Sequence, residues 1–508
     1  MSGVCGSDGD GPGGLFSFEE IYRSYLECRK NKRNTINALA FEAALFDNLH
    51  RLREELLAGT YRPSRSICFV ARQPKVREIF AADFRDRVVH HLLVRRLEGL
   101  FEPRFIQDSY ACRRGKGTHA AVSRLRRFTA GVTRNNTRPA RYLQLDIKGF
   151  FIAIEKATLL SILAPRIREG RLLWLARILV LHDPTRDYVF KGDPRLLEGI
   201  PPHKTLFSTK NRTGLAIGNL TSQFFANVYL DRLDQFVKHE LKVRYYVRYV
   251  DDLVILDETG QRFGEWEERV AGFLAENLRL ELNPKRARSG RVADGIDFLG
   301  YIVRPHYCLV RRRTVNNLKA RLRAFEQELV ERLPGRTVYL YPEERLEALL
   351  ATVNAYFAHF AHAASHRLRK SLLERFPFLA VFFAYQGGKV TRRYPLGARF
   401  TDYPSQVCGI RRFFRQEACF VRVGRYYELY DGDAAFGAER LGLRPQPPRR
   451  GFQRRCGFHR SMLARYTEKA LEARRAVVIV EEGEEWYGSL RMRRPARMMR
   501  PAACDSSV

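Results

Sequence analysis

In some segments of this chain apolar residues recur at helical spacing, and in others they recur at every second position. The two patterns together predict a fold of mixed helices and strands. Near the start, Ser17 with Glu20 three positions later forms a capping pattern ahead of an apolar stripe, which predicts a helix. Runs rich in β-branched and aromatic residues predict strands. The expected fold class is therefore α+β. Helices are predicted over residues 18–26, 41–57, 224–234, 315–333, 342–357 and 461–474, and strands over residues 66–70, 141–146, 419–430 and 476–482.

One stretch, Tyr245 to Leu256, has apolar runs on both sides of Asp251 and Asp252, which predicts a β-hairpin with the two acids at its turn. An isolated pair of aspartates is more often just a polar turn. Here both flanks have the composition of buried strands, so the carboxylates are expected on a rigid support. Two acids held this close repel each other unless a cation lies between them. The pair is therefore a candidate site for a hard metal ion.

A second apolar strand ends on Asp146, and two aromatic residues, Phe150 and Phe151, follow shortly after it. The simpler interpretation is that Asp146 caps the next helix. The functional interpretation is that Asp146 and Asp251 together bind two Mg²⁺ ions, with Mn²⁺ as the alternative metal, at the spacing of about 3.5–4 Å used in two-metal sites. Asp252 is then the third carboxylate of the set.

The charge of the chain narrows the choice of partner. Its 508 residues carry 89 Lys and Arg against 56 Asp and Glu, a formal net charge of +33. This excess indicates a polyanionic partner, nucleic acid first and an anionic membrane surface second. No apolar run is long enough to cross a bilayer and no signal-peptide pattern is present, so no membrane association is expected. The nine cysteines form no Cys-x-x-Cys pair, which favours a cytoplasmic protein without disulfides.

Two basic segments are candidates for phosphate binding. Lys75 and Arg77 alternate with apolar residues and share one face of an extended segment, a face that suits a triphosphate, although an exposed ladder of charge is about as probable. The glycine-containing loop over residues 108–119 carries Arg113, Arg114 and Lys116 ahead of a helix and could cradle phosphates through its amides. This loop lacks the Walker spacing, so a P-loop nucleotidase is not supported.

Two further segments complete the candidate nucleotide pocket. Gly218 permits a close backbone approach, and Gln223, at the start of the helix predicted over 224–234, could hydrogen-bond a base or sugar. Taken alone, this segment is an ordinary turn and helix cap. Lys285 ends a later strand, where it could reach a leaving pyrophosphate.

Each of these motifs alone is a weak indicator of a protein family, but their order along the chain is a specific one. Together they resemble the motif series of bacterial reverse transcriptases. The resemblance implies a right-hand polymerase with fingers, an antiparallel palm and a helical thumb. It also implies Asp146, Asp251 and Asp252 as the metal triad and Phe151 as a gate that excludes ribonucleotides. The motifs are Pro-Lys-x-Arg at 74–77, Ser-Tyr-Ala-Cys-Arg at 109–113, Asp146 with Phe150-Phe151, Ile-Gly-Asn-Leu-Thr-Ser-Gln at 217–223, Tyr-Val-Asp-Asp at 249–252, Asn-Pro-Lys at 283–285 and Phe-Leu-Gly at 298–300.

The C-terminal part is similar to the mismatch-recognition domain of the DNA repair protein MutS, which implies a smaller α/β domain. Tyr426 and Glu428 occupy the positions of that family's Phe-x-Glu motif, whereas Arg425 replaces the Asp before it. Duplex or heteroduplex binding is expected of these residues; the simpler interpretation is a strand-edge Tyr and a surface Glu. Ahead of this domain, three consecutive arginines, numbered 311 to 313, begin basic helices suited to gripping template and primer phosphates. They are Arg311, Arg312 and Arg313.

These patterns predict an RNA-directed DNA polymerase with an RNA template, a DNA primer, dNTPs and an accessory protein as partners. The variant of the 217–223 motif resembles that of diversity-generating retroelements. An antiphage-defence polymerase and a non-catalytic nucleic-acid binder on the same scaffold remain as alternatives. The predicted domains are a disordered N-terminus (1–14), a helical extension (15–65), fingers and palm (66–305), a helical thumb (306–386), a linker (387–402), a MutS-like domain (403–487) and a basic disordered tail (488–508).

Overall fold

The structure is a computed structural model that describes residues 14–30, 35–72, 76–209, 211–394 and 400–502. It divides into two compact units. Unit 1 comprises residues 1–299 and 303–306, and unit 2 comprises residues 300–302 and 307–508. The mixture of helices and strands confirms the α+β class. The predicted disorder of residues 1–14 concerns a segment that, apart from Gly14, lies outside the described residues.

Unit 1 is mostly helical. Its helices are α1 (Phe18–Arg29), α2 (Ile36–Glu42), α3 (Leu45–Leu57), α4 (Phe84–Phe101), α5 (Thr118–Val132), α6 (Phe150–Ala153), α7 (Lys156–Leu163), α8 (Gly170–Leu181), α9 (Leu220–Gln235) and α10 (Phe263–Leu278). Its strands are β1 (Ser66–Ala71), β2 (Arg77–Ala81), β3 (Arg141–Asp146), β4 (Tyr188–Phe190), β5 (Tyr245–Tyr249), β6 (Asp252–Asp257), β7 (Arg288–Arg291) and β8 (Ile296–Phe298).

The N-terminal helices follow the predicted pattern with one difference. Helix α1 begins after Ser17, whose hydroxyl accepts a hydrogen bond from the amide of Glu20 at 3.4 Å. The single helix predicted over 41–57 is instead α2 and α3, because the backbone of Ala44 leaves the helical region with φ −133°. Leu49, Leu52 and Leu56 of α3 are buried in one large apolar core that also includes α4, α9 and the strands β3, β5 and β6.

The central sheet of unit 1 is antiparallel, with strand order β5-β6-β3-β7. Its register places Asp146, the last residue of β3, directly opposite Asp252, the first residue of β6. Tyr249, the last residue of β5, is also opposite Asp252. Because paired residues of an antiparallel sheet point to the same face, Asp146 and Asp252 are neighbours at one end of this sheet. A second, smaller sheet has the order β2-β1-β4.

Two short strands, β9 (Tyr301–Val303) and β10 (Cys308–Val310), precede the main elements of unit 2. The helices of unit 2 are α11 (Arg312–Leu329), α12 (Glu343–Phe360), α13 (His366–Arg375), α14 (Leu379–Phe382), α15 (Tyr403–Phe413), α16 (Gly432–Leu441) and α17 (Leu463–Glu472). Its remaining strands are β11 (Val330–Leu333), β12 (Arg336–Leu340), β13 (Phe383–Gln386), β14 (Lys389–Arg392), β15 (Ala418–Val423), β16 (Tyr426–Tyr430), β17 (Pro445–Gln446), β18 (Arg455–His459), β19 (Val477–Tyr487) and β20 (Leu490–Pro501).

Unit 2 is built on one eight-stranded sheet of order β11-β12-β20-β19-β15-β16-β18-β17. Two of its strands, β11 and β12, come from the segment predicted as a helical thumb, so the predicted thumb and C-terminal domain share a sheet. The helix predicted over 315–333 ends at Leu329, and its last four residues form β11. Part of the predicted linker, Lys389–Arg392, is the strand β14.

The basic tail is not disordered, which corrects the prediction for residues 490–501. Strand β20 pairs with β19 on one side and with β12 on the other. Its Met498 and Met499 are buried, and Arg493 is only 7% exposed. Arginines of this strand pair with acids, Arg493 with Glu482 of the adjacent strand β19 at 2.5 Å and Arg500 with Glu417 at 3.1 Å. The second partner lies 83 residues away, so that pairing leaves no local signal in the sequence.

Candidate active site

The predicted carboxylate hairpin is present, and its turn consists of two residues, Val250 and Asp251, between β5 and β6. Val250 has φ 56°, an uncommon conformation for a β-branched residue, which costs on the order of 1–3 kcal/mol unless the surroundings impose it. The flanking residues Val247, Val254 and Ile255 are at most 1% exposed. The acids therefore lie at the tip of a rigid, buried support, as the sequence predicts.

A buried ion pair lies beneath this hairpin. Arg248 of β5 and Asp234 of α9 have side chains that are 1% and 0% exposed, and their closest N–O distance is 2.6 Å. Both the Nε and Nη2 atoms of Arg248 donate to the carboxylate. Tyr246 donates to the same carboxylate at 2.8 Å, and Arg248 Nη2 also donates to Ser109 Oγ at 3.0 Å. This network joins the hairpin to α9 and to the loop before α5.

Asp146 is held by groups from the segment after α10. Its carboxylate accepts hydrogen bonds from Asn283 Nδ2 at 3.0 Å and from Arg286 Nη1 at 2.9 Å. The backbone of Asn283 also donates to the Asp146 carbonyl at 2.8 Å. Asp252, opposite Asp146, accepts instead from Gln144 Nε2 at 2.8 Å. The three predicted carboxylates thus lie at one end of the sheet, but Asp146 and Asp252 have different partners.

The electrostatics of Asp251 reflect this crowding of acids. Burial raises the pKa of the Asp251 carboxyl above its ordinary value, and the negative charge of Asp146 raises it further. The positive charges of Arg77 and Arg286 act in the opposite direction. Asp146 and Asp251 are therefore close enough for their negative charges to repel each other.

The donor set of this site suits a hard divalent cation. Within the ranges that the structure describes, no group of three or more His, Cys, Asp or Glu side chains is already arranged to hold a metal ion. Asp146 and Asp251 nevertheless supply carboxylate oxygens, the ligands that Mg²⁺ prefers, and their mutual repulsion is what a cation would relieve. Arg286 pairs with the Asp146 carboxylate at 2.9 Å and so partly offsets its charge.

A cleft of about 1100 Å³ opens beside these two carboxylates. It brings together five predicted site residues from four separate segments of the chain, Asp146, Asp251, Arg77, Phe151 and Lys285. Arg77 and Lys285 are exposed, whereas Phe151 is half-buried against the ring of the residue before it. Five predicted residues therefore share one cleft with positive charge on its walls, an arrangement that suits a triphosphate.

Three predicted pocket residues stand apart from this group. Lys75 lies outside the described residues. Gln223 is exposed on the first turn of α9 but does not line the cleft. Gly218, with φ 122°, approaches strand β2: a Cβ there would lie 2.8 Å from Ile79 and 3.2 Å from the Phe80 carbonyl. The close approach that Gly218 permits in this structure is to the protein's own strand, and its place in the nucleotide pocket stays a prediction.

The basic loop before α5 also differs from its prediction. The Arg113 side chain is 5% exposed and pairs with Glu102 at 2.8 Å. Lys116 donates from Nζ to the carbonyls of Gln107 at 2.7 Å and Ser109 at 3.3 Å. The buried Arg113 is therefore used to hold the loop and is not available as the predicted nucleic-acid contact. Lys116 also bonds the loop but is only half-buried, so its predicted nucleic-acid contact stays a prediction.

The third loop cation has a different environment. The Arg114 side chain is 76% exposed, with Glu98 at 3.5 Å. Arg114 thus stays a predicted nucleic-acid contact.

The predicted nucleic-acid contacts of unit 2 also include both exposed residues and one that is buried and paired within the domain. Arg312 and Arg313 are exposed on the first turn of α11, and Arg311 precedes it, half-buried. Tyr426 is 51% exposed at the start of β16. Glu428 is 8% exposed and faces Arg449 at 3.1 Å, Arg455 at 3.5 Å and the Tyr430 hydroxyl. Its carboxylate is engaged inside the domain, which corrects its prediction as a ligand contact.

Two contributors to the site were missed at the sequence level. Arg286 stands next to the predicted Lys285, and only the turn after Asn283 decides which of the two reaches Asp146. The sequence pattern could have pointed to Arg248, because an arginine inside a run of buried strand residues requires a buried partner. That partner, Asp234, lies on a helix and could not be assigned from the pattern alone.

Comparison with known proteins agrees with this geometry. Residues 71–303 match the family model "Reverse transcriptase (RNA-dependent DNA polymerase)", and residues 403–495 match "MutS domain I". Protein YkfC of Escherichia coli is 23% identical over 52% of this chain and 74% of its own length. The group II intron-encoded protein LtrA of Lactococcus lactis is 22% identical over 56% of this chain and 54% of its own, so the chain spans about half of that relative.

A telomerase structure from Candida albicans is a distant match, with 10% identity, a TM-score of 0.32, and coverage of 62% of this chain and 57% of that one.

Residues 71–303 of the chain therefore form a reverse transcriptase domain, the domain of RNA-directed DNA polymerases. In this chain a MutS domain I follows the polymerase domain. Enzymes of this family use divalent metal ions, in agreement with the carboxylates at the hairpin. Among the helices that the structure describes, none is long and apolar enough to cross a membrane.

Proposed function

We propose that this protein synthesises cDNA from an RNA template by two-metal nucleotidyl transfer, with Asp146, Asp251 and Asp252 as the carboxylate set. The observation that carries the proposal is the position of Asp146 and Asp251 on the wall of one cleft, close enough that the charge of one raises the pKa of the other. Two Mg²⁺ ions, or Mn²⁺ in their place, would activate the primer hydroxyl and stabilise the leaving pyrophosphate.

The remaining residues of the cleft have roles that follow from their chemistry. Arg77 presents a guanidinium that can bind two phosphate oxygens of a dNTP at once, and Lys285 offers a point charge for the pyrophosphate. Phe151 lies under the sugar in this proposal, where its ring leaves no room for a 2′-hydroxyl. Lys75 would join Arg77 at the triphosphate.

Primer extension on an RNA template tests this assignment. Asp146→Ala should abolish extension while the protein stays folded, and Asp47→Ala, which removes an exposed carboxylate from α3, is the matched control. Robust extension by Asp146→Ala would contradict the carboxylate assignment. The same assay with ribonucleotides tests the gate, because Phe151→Ala should raise ribonucleotide incorporation at least tenfold relative to dNTPs; unchanged discrimination would remove Phe151 from that role.

For the biological role we propose a diversity-generating retroelement, with an accessory protein as an additional partner and the cytoplasm as the location. The Ile217–Gln223 motif supports this choice over intron-type enzymes. An antiphage-defence polymerase is the rival. Sequencing the RNA and cDNA that co-purify with the protein separates the two: template repeats with a variable target gene support the retroelement, whereas other products beside a defence cluster would contradict it.

A further inference from the structure

A second cleft, of about 330 Å³, lies entirely within unit 2 and is not part of the polymerase site. Its walls come from the end of α15, the residues around β12 and β14, and strand β20. The side chains used below are those of Tyr341, Arg393, Arg412, Phe413, Arg415 and Arg500.

The cleft carries uncompensated positive charge. Arg393, Arg412 and Arg415 are exposed, and none forms an ion pair with any residue in the described part of the chain. Arg500 differs, because it pairs with Glu417 at 3.1 Å, and Glu417 is the acid that lines the cleft. Three guanidinium groups converging on one cavity repel each other unless an anion is present.

Aromatic and polar groups accompany this charge. The Phe413 ring is 40% exposed and meets Tyr394 edge-on, with ring centroids 5.8 Å apart. The Tyr341 hydroxyl is buried, and among the described residues it has no hydrogen-bond partner. A buried hydroxyl without a partner is costly, and a ligand that supplies one is favoured. Charge, an exposed ring and an unsatisfied hydroxyl thus meet in one cavity.

We propose that this cleft binds a phosphate-bearing nucleotide unit, with the phosphate on the three arginines and the base on Phe413. Arginine is suited to this task because its planar fork matches two phosphate oxygens. An exposed aromatic ring stacks on any base, so the site recognises nucleotides without sequence preference. The unit comes either from single-stranded nucleic acid or from a free nucleotide, which share this chemistry.

The site is separate from the proposed catalytic chemistry. It shares no residue with the cleft at Asp146 and Asp251, and it is also distinct from Tyr426 at the start of β16. If the polymerase assignment fails, the proposal for this cleft is unaffected. If the proposal for this cleft fails, the polymerase assignment is unaffected.

The test uses the full chain and a 4-thiothymidine-labelled single-stranded octanucleotide, with crosslinked peptides identified by mass spectrometry. Wild-type protein should crosslink within the peptide that contains Phe413. Arg412→Ala/Arg415→Ala should reduce that crosslink at least tenfold and lower the slope of log affinity against log salt by about 1.4, since each arginine neutralises about one phosphate and each such contact on a single strand contributes about 0.7. Arg440→Ala, an exposed arginine of α16, is the control and should change neither quantity.

A competition experiment distinguishes the two sources of the nucleotide unit. If AMP at millimolar concentration competes away the Phe413 crosslink, the site accepts a free nucleotide; if only the unlabelled octanucleotide competes, it requires a phosphodiester. Absence of a crosslink in the peptide that contains Phe413, or a Phe413 crosslink that persists undiminished in the double variant with an unchanged melting temperature, would overturn the proposal. Phe413→Leu, which keeps an apolar side chain but removes the ring, should weaken the crosslink while the salt slope stays the same.

Discussion

Arg248 donates a hydrogen bond from Nη1 to the carbonyl oxygen of Val250 at 3.1 Å, two residues further along the same hairpin. Val250 is the residue with positive φ that directly precedes Asp251. The guanidinium that forms the buried ion pair with Asp234 thus also bonds the positive-φ turn that presents Asp251, the proposed catalytic carboxylate. Rigid support of this kind is what a metal site needs, because small misplacements of reacting groups are costly.

Arg248→Lys should therefore lower kcat for primer extension at least tenfold and leave KM for dNTP nearly unchanged. Lysine keeps the positive charge near Asp234 but lacks the planar fork that reaches several acceptors at once. Steady-state extension at a temperature where the variant is folded measures both constants. Arg244→Lys, an exposed arginine on the same hairpin arm, is the control. A wild-type kcat in Arg248→Lys would show that the turn does not depend on this guanidinium.

Asp251 is expected to destabilise the metal-free protein, because its burial and the charge of Asp146 both raise its pKa. Asp251→Asn should increase the free energy of unfolding in EDTA by about 0.5–2 kcal/mol, the usual range for a stabilising substitution. Added Mg²⁺ should stabilise the wild type more than this variant, since the cation relieves the repulsion. Urea unfolding with and without Mg²⁺ measures both effects. Equal or lower stability of Asp251→Asn in EDTA would refute the electrostatic account.

Tyr426 and Glu428 should respond in opposite ways to substitution. Tyr426→Ala removes an exposed ring and should weaken RNA–DNA heteroduplex binding roughly fivefold or more, with little effect on stability. Glu428→Gln leaves Arg449 and Arg455 without their buried acid and should cost about 1–3 kcal/mol of unfolding free energy. Fluorescence anisotropy and thermal unfolding separate the two effects. Loss of binding by Glu428→Gln at full stability would restore the ligand-contact role that the structure contradicts.

Lys116 is expected to make the free energy of unfolding depend on pH, with a sign that follows from its lowered pKa. Burial, assisted by the charge of Arg113, lowers the pKa of Lys116 from 10.5 to about 8. Between these values the unfolded chain binds more protons than the folded one, so this lysine makes stability rise as the pH rises through that window. Urea unfolding at pH 7.5 and 9.5 should show a larger gain for the wild type than for Lys116→Met. Lys191→Met, at an exposed position, should behave like the wild type, and equal slopes in all three proteins would contradict the assignment.

The sequence predicts those parts of this protein whose determinants are local. The hairpin at Asp251 and the strand that ends on Asp146 can be predicted because each apolar run and the acidic residue that ends it lie within a few residues of each other. Arg113 shows the limit: its charge predicts a phosphate contact, but its position against Glu102 depends on how the loop folds back. Strand β20 is not predicted for a related reason, since its second neighbour in the sheet, β12, lies more than 150 residues earlier in the sequence.

The measurement that tests the central claim most directly is incorporation of a labelled dNTP on a primed RNA template by the purified wild-type protein and by Asp251→Asn. The account predicts Mg²⁺-dependent incorporation by the wild type, its loss in EDTA, and at least a thousandfold lower rate for the folded variant, since one carboxylate of the metal pair is missing. No incorporation by folded wild-type protein in Mg²⁺ or Mn²⁺, or comparable rates for wild type and Asp251→Asn, would contradict it.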